Sequence, residues 1–217
     1  MASTRIDLAS LRAGFGRWTV VVALASLPAC SMEQTAAVPD NAELTPLEVV
    51  SWWNEARNVG DVAGAMSLLA DDAVVLDFEI RDSDDRAALT ETLTAQAVAG
   101  WHVVDHDCAT VGETVTCRYV MADRILRRWG LELIGTHQYT LLDGRIRRAE
   151  RAHDAQSAAR VYDALNEFRR WVAERHPDLV DVIWASPGAA AYSTVEGARA
   201  MVSLLDEYDA TCDEACG

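Results

Sequence analysis

From Leu44 onward the apolar positions fall into a helix, a turn, a second helix and a strand. Val49, Val50, Trp53 and Ala56 recur at spacings that put them on one side of a helix. Thr45, Pro46 and Glu48 mark its start: a hydroxyl cap, a proline at the first helical position and a glutamate three residues after the cap. Gly60 marks its stop. Asp61 caps a shorter helix with Val62, Ala65, Met66 and Leu69 inward, and the run Ala73 to Leu76 changes the period from helix to strand. A third helix is predicted from Asp84 or Asp85, with Leu89, Leu93 and Ala97 on one face and Gly100 as its end. Turn signals then divide the chain into four strands, Trp101 to Val111, Thr114 to Arg127, Leu131 to Leu142 and Arg145 to His153. Three helices followed by an antiparallel meander predict an α+β domain over residues 44–154.

Residues 155–217 read as a helical extension. Asp154 caps a helix whose Ala158, Val161, Leu165, Phe168 and Val172 make an apolar stripe that ends before Pro177. A bend follows through Trp184 and Pro187. Ser193 and Glu196 form a second capping box, and Val195, Ala198, Val202, Leu205 and Tyr208 give another stripe. Such stripes bury themselves, so the extension is expected to pack on the domain. Cys212 and Cys216 in the tail are spaced to close a small disulfide loop.

The first 29 residues have the layout of a targeting segment: Arg5, Arg12 and Arg17, then the apolar run Trp18 to Leu27, too short to span a bilayer comfortably. Leu27-Pro28-Ala29-Cys30 resembles a bacterial lipobox, which implies cleavage before Cys30 and acylation of its sulfur. More than one acyl chain gives durable anchoring, so residues 30–43 read as a polar tether between an extracytoplasmic membrane face and the domain. The 19 basic residues are all arginine, against 34 acidic ones. Removing residues 1–29 leaves 16 and 33. Such an acidic surface repels phosphate backbones and excludes a nucleic-acid partner.

The Asn58 to Asp61 turn (N-x-G-D), the run Leu69 to Val74 (L-A-D-D-A-V), Asp77 three residues later and the Asp143 to Ile146 turn (D-G-R-I) together resemble the nuclear transport factor 2-like superfamily, which includes SnoaL-like polyketide cyclases and ketosteroid isomerase. The resemblance implies a cone-shaped fold in which three N-terminal helices pack on a curved antiparallel sheet around a cavity. It also places Asp77 where the isomerase has its proton-shuttling aspartate. Trp53 and Thr136 stand where that enzyme has the tyrosine and acid of its oxyanion hole, so steroid-type isomerisation is not expected.

If Gly112 and Glu113 are the central residues of a two-residue turn, strand residues whose numbers sum to 225 oppose each other. Cys108 then faces Cys117, in the arrangement a disulfide requires and in a compartment that favours one. Asp107 lies across from Arg118 as an ion pair. The cysteine face carries Val104, His106, Tyr119, Met121 and Asp123 and is assigned to the cavity. His102 and His106, about 13 Å apart along a strand, cannot share a zinc ion, and neither a metal nor a cofactor is expected. The predicted pocket is lined by Trp53, Asp77, Tyr119, Met121 and His137.

Three functions fit these patterns. The leading one is non-catalytic binding of a small apolar ligand or a partner protein. The second is acid–base catalysis by Asp77 or Asp123, aided by His106 or His137. The third is a homodimeric structural module of the cell envelope. The anchor has its own test. Cys30→Ala should move the protein from the membrane to the soluble fraction; unchanged fractionation, with a mature mass lacking acyl chains, contradicts a lipidated Cys30.

Overall fold

The computed structural model describes residues 44–76, 86–185, 192 and 194–216, with side chains to residue 211. Cys30, Asp77, Ser193 and the side chains of Cys212 and Cys216 lie outside the described residues. Helix α1 (Pro46–Val59) starts on the predicted capping box, with the Thr45 hydroxyl accepting from the Glu48 amide and the Glu48 carboxylate accepting from the Thr45 amide. It stops at Gly60, whose φ of 77° is left-handed. Asp61 caps α2 (Val62–Ser67) through the Gly64 amide. Strand β1 (Leu69–Leu76) and helix α3 (Arg86–Ala99) follow. Strands β2 (His102–Val111), β3 (Thr114–Ala122), β4 (Leu133–Leu142) and β5 (Arg145–His153) pair as an antiparallel meander.

Two features differ from the expected layout. Thr114 to Arg127 is not one strand: Asp123 turns its carboxylate onto the Leu126 amide, 2.8 Å away, and caps a short helix α4 (Arg124–Arg128). Ile125 and Leu126 are consecutive and both buried, which a helical turn permits and an alternating strand does not. Nor is the sheet wholly antiparallel. The order is β1-β5-β4-β3-β2, with β1 parallel to β5. Because α3 separates β1 from the meander, no hairpin turn fixes its direction.

The C-terminal helices are α5 (Ala155–Arg175), α6 (Val180–Ile183), α7 (Val195–Ser203) and α8 (Leu205–Cys216). Asp154 caps α5 through the amides of Gln156 and Ser157, and the Ser157 hydroxyl is bonded to the backbone of Ile134 in β4. The cap of α7 is Thr194 rather than the expected Ser193: its hydroxyl accepts from the Gly197 amide at 3.0 Å, while Glu91 of α3 accepts from Val195 at 2.9 Å. A break at Leu204 rotates the stripe, so Met201 and Leu204 join Ala198, Leu205 and Tyr208 inside and Val202 is only half-buried.

The inner face of the sheet is shared by two apolar clusters. Under α1 to α3 lie Val50, Trp53, Leu68, Leu93, Tyr139 and Ile146. Under α4 to α8 lie Tyr119, Met121, Leu133, Phe168, Ile183 and Met201. Phe168, fully buried, has the rings of Trp129, Trp171, Trp184 and Tyr208 at centroid distances of 5.0–6.2 Å. The extension therefore covers the sheet surface to which Met121 was assigned as a pocket wall.

The first hairpin carries a bulge. Near the turn the expected residues oppose each other, Ala109 with Thr116 and Val111 with Thr114, and Cys108 is bonded to Cys117. Beyond Asp107 the pairing slips by one: His106 opposes Arg118, Asp105 opposes Tyr119 and Val103 opposes Met121. Asp107 is the extra residue, with a left-handed φ of 50°. A one-residue slip turns every side chain to the other face. Val103 and Asp105 consequently face inward, whereas Val104 and His106, expected there, are exposed. The expected cross-strand pair of Asp107 with Arg118 is replaced by a contact of Asp107 with its neighbour His106 at 2.9 Å.

Candidate functional site

Between the two clusters runs a seam of buried polar groups built from α1, α3 and the inner faces of β2, β4 and β5. Its centre is Asp105, whose side chain is 8% exposed. One oxygen meets His137 Nδ1 at 2.7 Å; the other accepts from Asn54 Nδ2 at 2.8 Å and from the Tyr139 hydroxyl at 3.1 Å. On the other side of the imidazole, Arg151 Nε donates to His137 Nε2 at 3.0 Å. An arginine N–H can only donate, so Nε2 is the acceptor and the ring proton sits on Nδ1, directed at Asp105. Carboxylate, neutral imidazole and guanidinium thus form one chain of hydrogen bonds.

Aromatic faces hold that chain in place. The Tyr119 ring stacks on His137 with centroids 4.1 Å apart, and its hydroxyl is hydrogen-bonded to His153 Nδ1. Gly135 makes room for it: a Cβ there would fall 2.8 Å from the Tyr119 hydroxyl and 2.1 Å from the Ala152 carbonyl oxygen. The Arg57 guanidinium lies 4.2 Å from the Trp53 ring centre and 5.3 Å from that of Trp101, and donates to Gln96 Oε1 at 2.9 Å. Arg151 lies 4.8 Å from the Trp101 ring. Weakly hydrated guanidinium groups tolerate such stacking well.

Burial pushes the His137 pKa down to about 4 from the usual 6.5; the nearby charges of Arg151 and Arg57 add to the effect, against the hydrogen bond and charge of Asp105. Burial, with the Asp105 charge, likewise holds the Tyr139 hydroxyl above its ordinary value. At neutral pH both are uncharged. The seam opens on a small cleft beside the end of β1, with room for about one water molecule, bordered by Trp53, Val75, Leu76, Ala149, Glu150 and Arg151. Ligand sites usually measure about 300–1,000 Å³.

The predicted site residues are therefore dispersed. Trp53 and His137 border the cleft, and Tyr119 backs His137. Met121 packs in the C-terminal cluster. Asp123 is 7% exposed, caps α4 and accepts from the Tyr192 hydroxyl at 3.0 Å; burial raises its pKa despite those bonds. His106 is on the outer face. Thr136 is exposed too, and the inward residues of β4 at that level are Gly135 and His137. Asp77, next after Leu76, lies outside the described residues. Sequence reasoning missed Asp105, Asn54, Arg57, Tyr139 and Arg151. A usable signal existed in α1, where Asn54 and Arg57 interrupt the apolar stripe at helical spacing, and in β4, where Tyr139 alternates with His137.

No family model matches the chain, and no curated protein matches it. Its neighbours among solved structures include an NTF2-like protein and epoxide hydrolase- and cyclase-like proteins, each similar to about half of this chain. An NTF2-like protein of unknown function from Cytophaga hutchinsonii is 16% identical, with 54% of this chain and 96% of that one covered and a TM-score of 0.44. An LEH-like epoxide hydrolase from M. tuberculosis is 17% identical over 52% of this chain and 84% of its own, with a TM-score of 0.45. The epoxide hydrolase/cyclase-like enzyme SalBIII of salinomycin pyran ring formation is 18% identical over 52% and 92%, with a TM-score of 0.46.

The His137 shift has a direction that can be measured. Its folded pKa is depressed, so the unfolded chain binds the extra proton and stability is full above about pH 6.5 and declines as pH falls toward about 4. Between pH 7 and pH 5 the unfolding free energy should drop by about 2 kcal/mol from this group alone. His137→Gln should remove most of that drop in urea titrations. Equal drops in both proteins would contradict a buried neutral His137.

Proposed function

We propose that the chain is a lipid-anchored, extracytoplasmic domain of the NTF2-like, SnoaL-like type, which binds a small apolar group from a ligand or a partner protein and does not transform it. Helices α1 to α3 on a sheet with an antiparallel meander support the family reading, alongside the motifs at Asn58 to Asp61 and Leu69 to Val74. The lipobox-like run before Cys30 supports the anchor.

The single observation that carries the non-catalytic part is that the candidate acid–base unit is already engaged. Both nitrogens of His137 and both oxygens of Asp105 are bonded within the protein. A general base must present a free lone pair to its substrate within hydrogen-bond reach. Trp53, Val75, Leu76 and Ala149 give the cleft an apolar wall against which the edge of a ring or the tip of an acyl chain can rest. Asp77, which follows Leu76 in the chain, is the acid that the family resemblance assigns to orienting the bound group.

Tryptophan fluorescence and calorimetry of the mature domain against a panel of hydrophobic ligands test the proposal, with native protein, Trp53→Phe and Asp77→Asn compared. The expected result is saturable binding by the native protein, weakened at least about tenfold in Trp53→Phe, a loss of about 1.4 kcal/mol. Saturable binding that is unchanged in Trp53→Phe, or no saturable binding at all, contradicts the cleft as the site. Turnover of any ligand, abolished by Asp77→Asn, contradicts the absence of catalysis.

A further inference from the structure

The bulge in β2 is the point where two incompatible pairings meet, and each is held by its own clamp. On the turn side the disulfide ties Cys108 to Cys117, their Cα atoms 4.1 Å apart, and the pairs from Ala109 to Val111 all sum to 225. On the helix side Asn58, just before the end of α1, holds Val103 with both ends of its amide: Asn58 Nδ2 donates to the Val103 carbonyl and Asn58 Oδ1 accepts from the Val103 amide, each at 2.8 Å. There the pairs sum to 224. One residue too many lies between the clamps, and Asp107 takes up the excess in a left-handed conformation that a non-glycine residue enters at a cost.

Without a bulge, two simpler registers exist. In one, the 225 pairing continues along all of β2; the disulfide is kept, Asp107 meets Arg118, and His106 replaces Asp105 on the inner face. In the other, the 224 pairing runs to the turn; Cys108 leaves Cys117, and Asp105 stays inside. The consecutive valines Val103 and Val104 give the first half of β2 little hydrophobic preference between them.

We propose that Asn58 is the positioning residue of the buried seam: by gripping Val103 it selects the register in which Asp105 faces His137, while the Cys108–Cys117 disulfide is compatible with the seam but does not select it. Asn58 acts on a backbone edge of β2, which is an edge strand of the sheet, and stands in there for a missing strand partner. The inference rests on the hairpin and is independent of ligand binding.

Asn58→Ala, deletion of Asp107, their combination, and native protein reduced with dithiothreitol separate these roles. In the reduction, one dithiothreitol gives two electrons and two protons to the disulfide, yielding two protein thiols and its own cyclic disulfide. Cross-strand nuclear Overhauser contacts report the register, and the His137 ring signals report the seam. Asn58→Ala should replace the Asp105–Tyr119 backbone contact by His106–Tyr119 and move the His137 midpoint further down from about 4, because the hydrogen bond and charge of Asp105 that hold it up are lost. Deleting Asp107 removes the excess residue, so both clamps are satisfied by one register; in the combined variant it should restore the native contact and midpoint. Reduction of native protein should leave both unchanged. The proposal is overturned if Asn58→Ala keeps the Asp105–Tyr119 contact, if it unfolds and deleting Asp107 does not rescue it, or if reduction alone turns Asp105 out.

Discussion

A carboxylate withdrawn from water has to be met by donors, and the architecture of this domain is fixed by how Asp105 is met. Leaving a charge of this kind unpaired costs several kcal/mol, more than most single contacts supply. Its partners come from separate elements: Asn54 from α1, and His137 and Tyr139 from β4. Satisfying all of them at once sets the height of α1 over the sheet. It also sets the tautomer of His137, because Arg151 from β5 occupies the opposite nitrogen. Tyr119 and Trp101 then supply flat walls on which the imidazole and the guanidinium rest. The seam behaves as a unit because removing any member strands the others.

The C-terminal helices complete the same construction. An NTF2-like resemblance implies a cavity between helices and sheet, and here Phe168, Ile183 and Met201 press onto the part of the inner face that bears Tyr119, Met121 and Leu133. Among the described residues, a small cleft stays open at the β1 end. A domain arranged in this way offers a ligand a shallow, partly polar seat rather than a deep apolar well.

The sequence was most legible where local chemistry decides structure. Thr45, Pro46, Glu48 and Gly60 bound α1, and Asp154 bounds the start of α5, because caps and periodicity act over one turn. The Cys108–Cys117 bond followed from a two-residue turn. The same reasoning failed at the next residue, since the bulge at Asp107 is imposed by Asn58, which is close in space and distant in sequence. Parity then reversed, and His106 was taken for Asp105. Asp123 misled for a different reason: an acid on one face of a strand and one that caps a helix look alike until Ile125 and Leu126 are both seen to be buried. The cationic half of the seam was hidden because Arg57 is buried and Arg151 half-buried through stacking and hydrogen bonding, for which a single sequence carries only a faint periodic trace.

The most direct measurement is the unfolding free energy of Asp105→Ala, taken from urea titrations at pH 7 beside that of His106→Ala. With Asp105 at the centre of the seam, its loss leaves His137, Asn54 and Tyr139 without their shared acceptor and should cost about 3 kcal/mol or more. His106, on the outer face, should cost less than about 0.5 kcal/mol. A small effect at Asp105 together with a large one at His106 would mean that the straight register is the real one, and that the seam described here does not hold the fold.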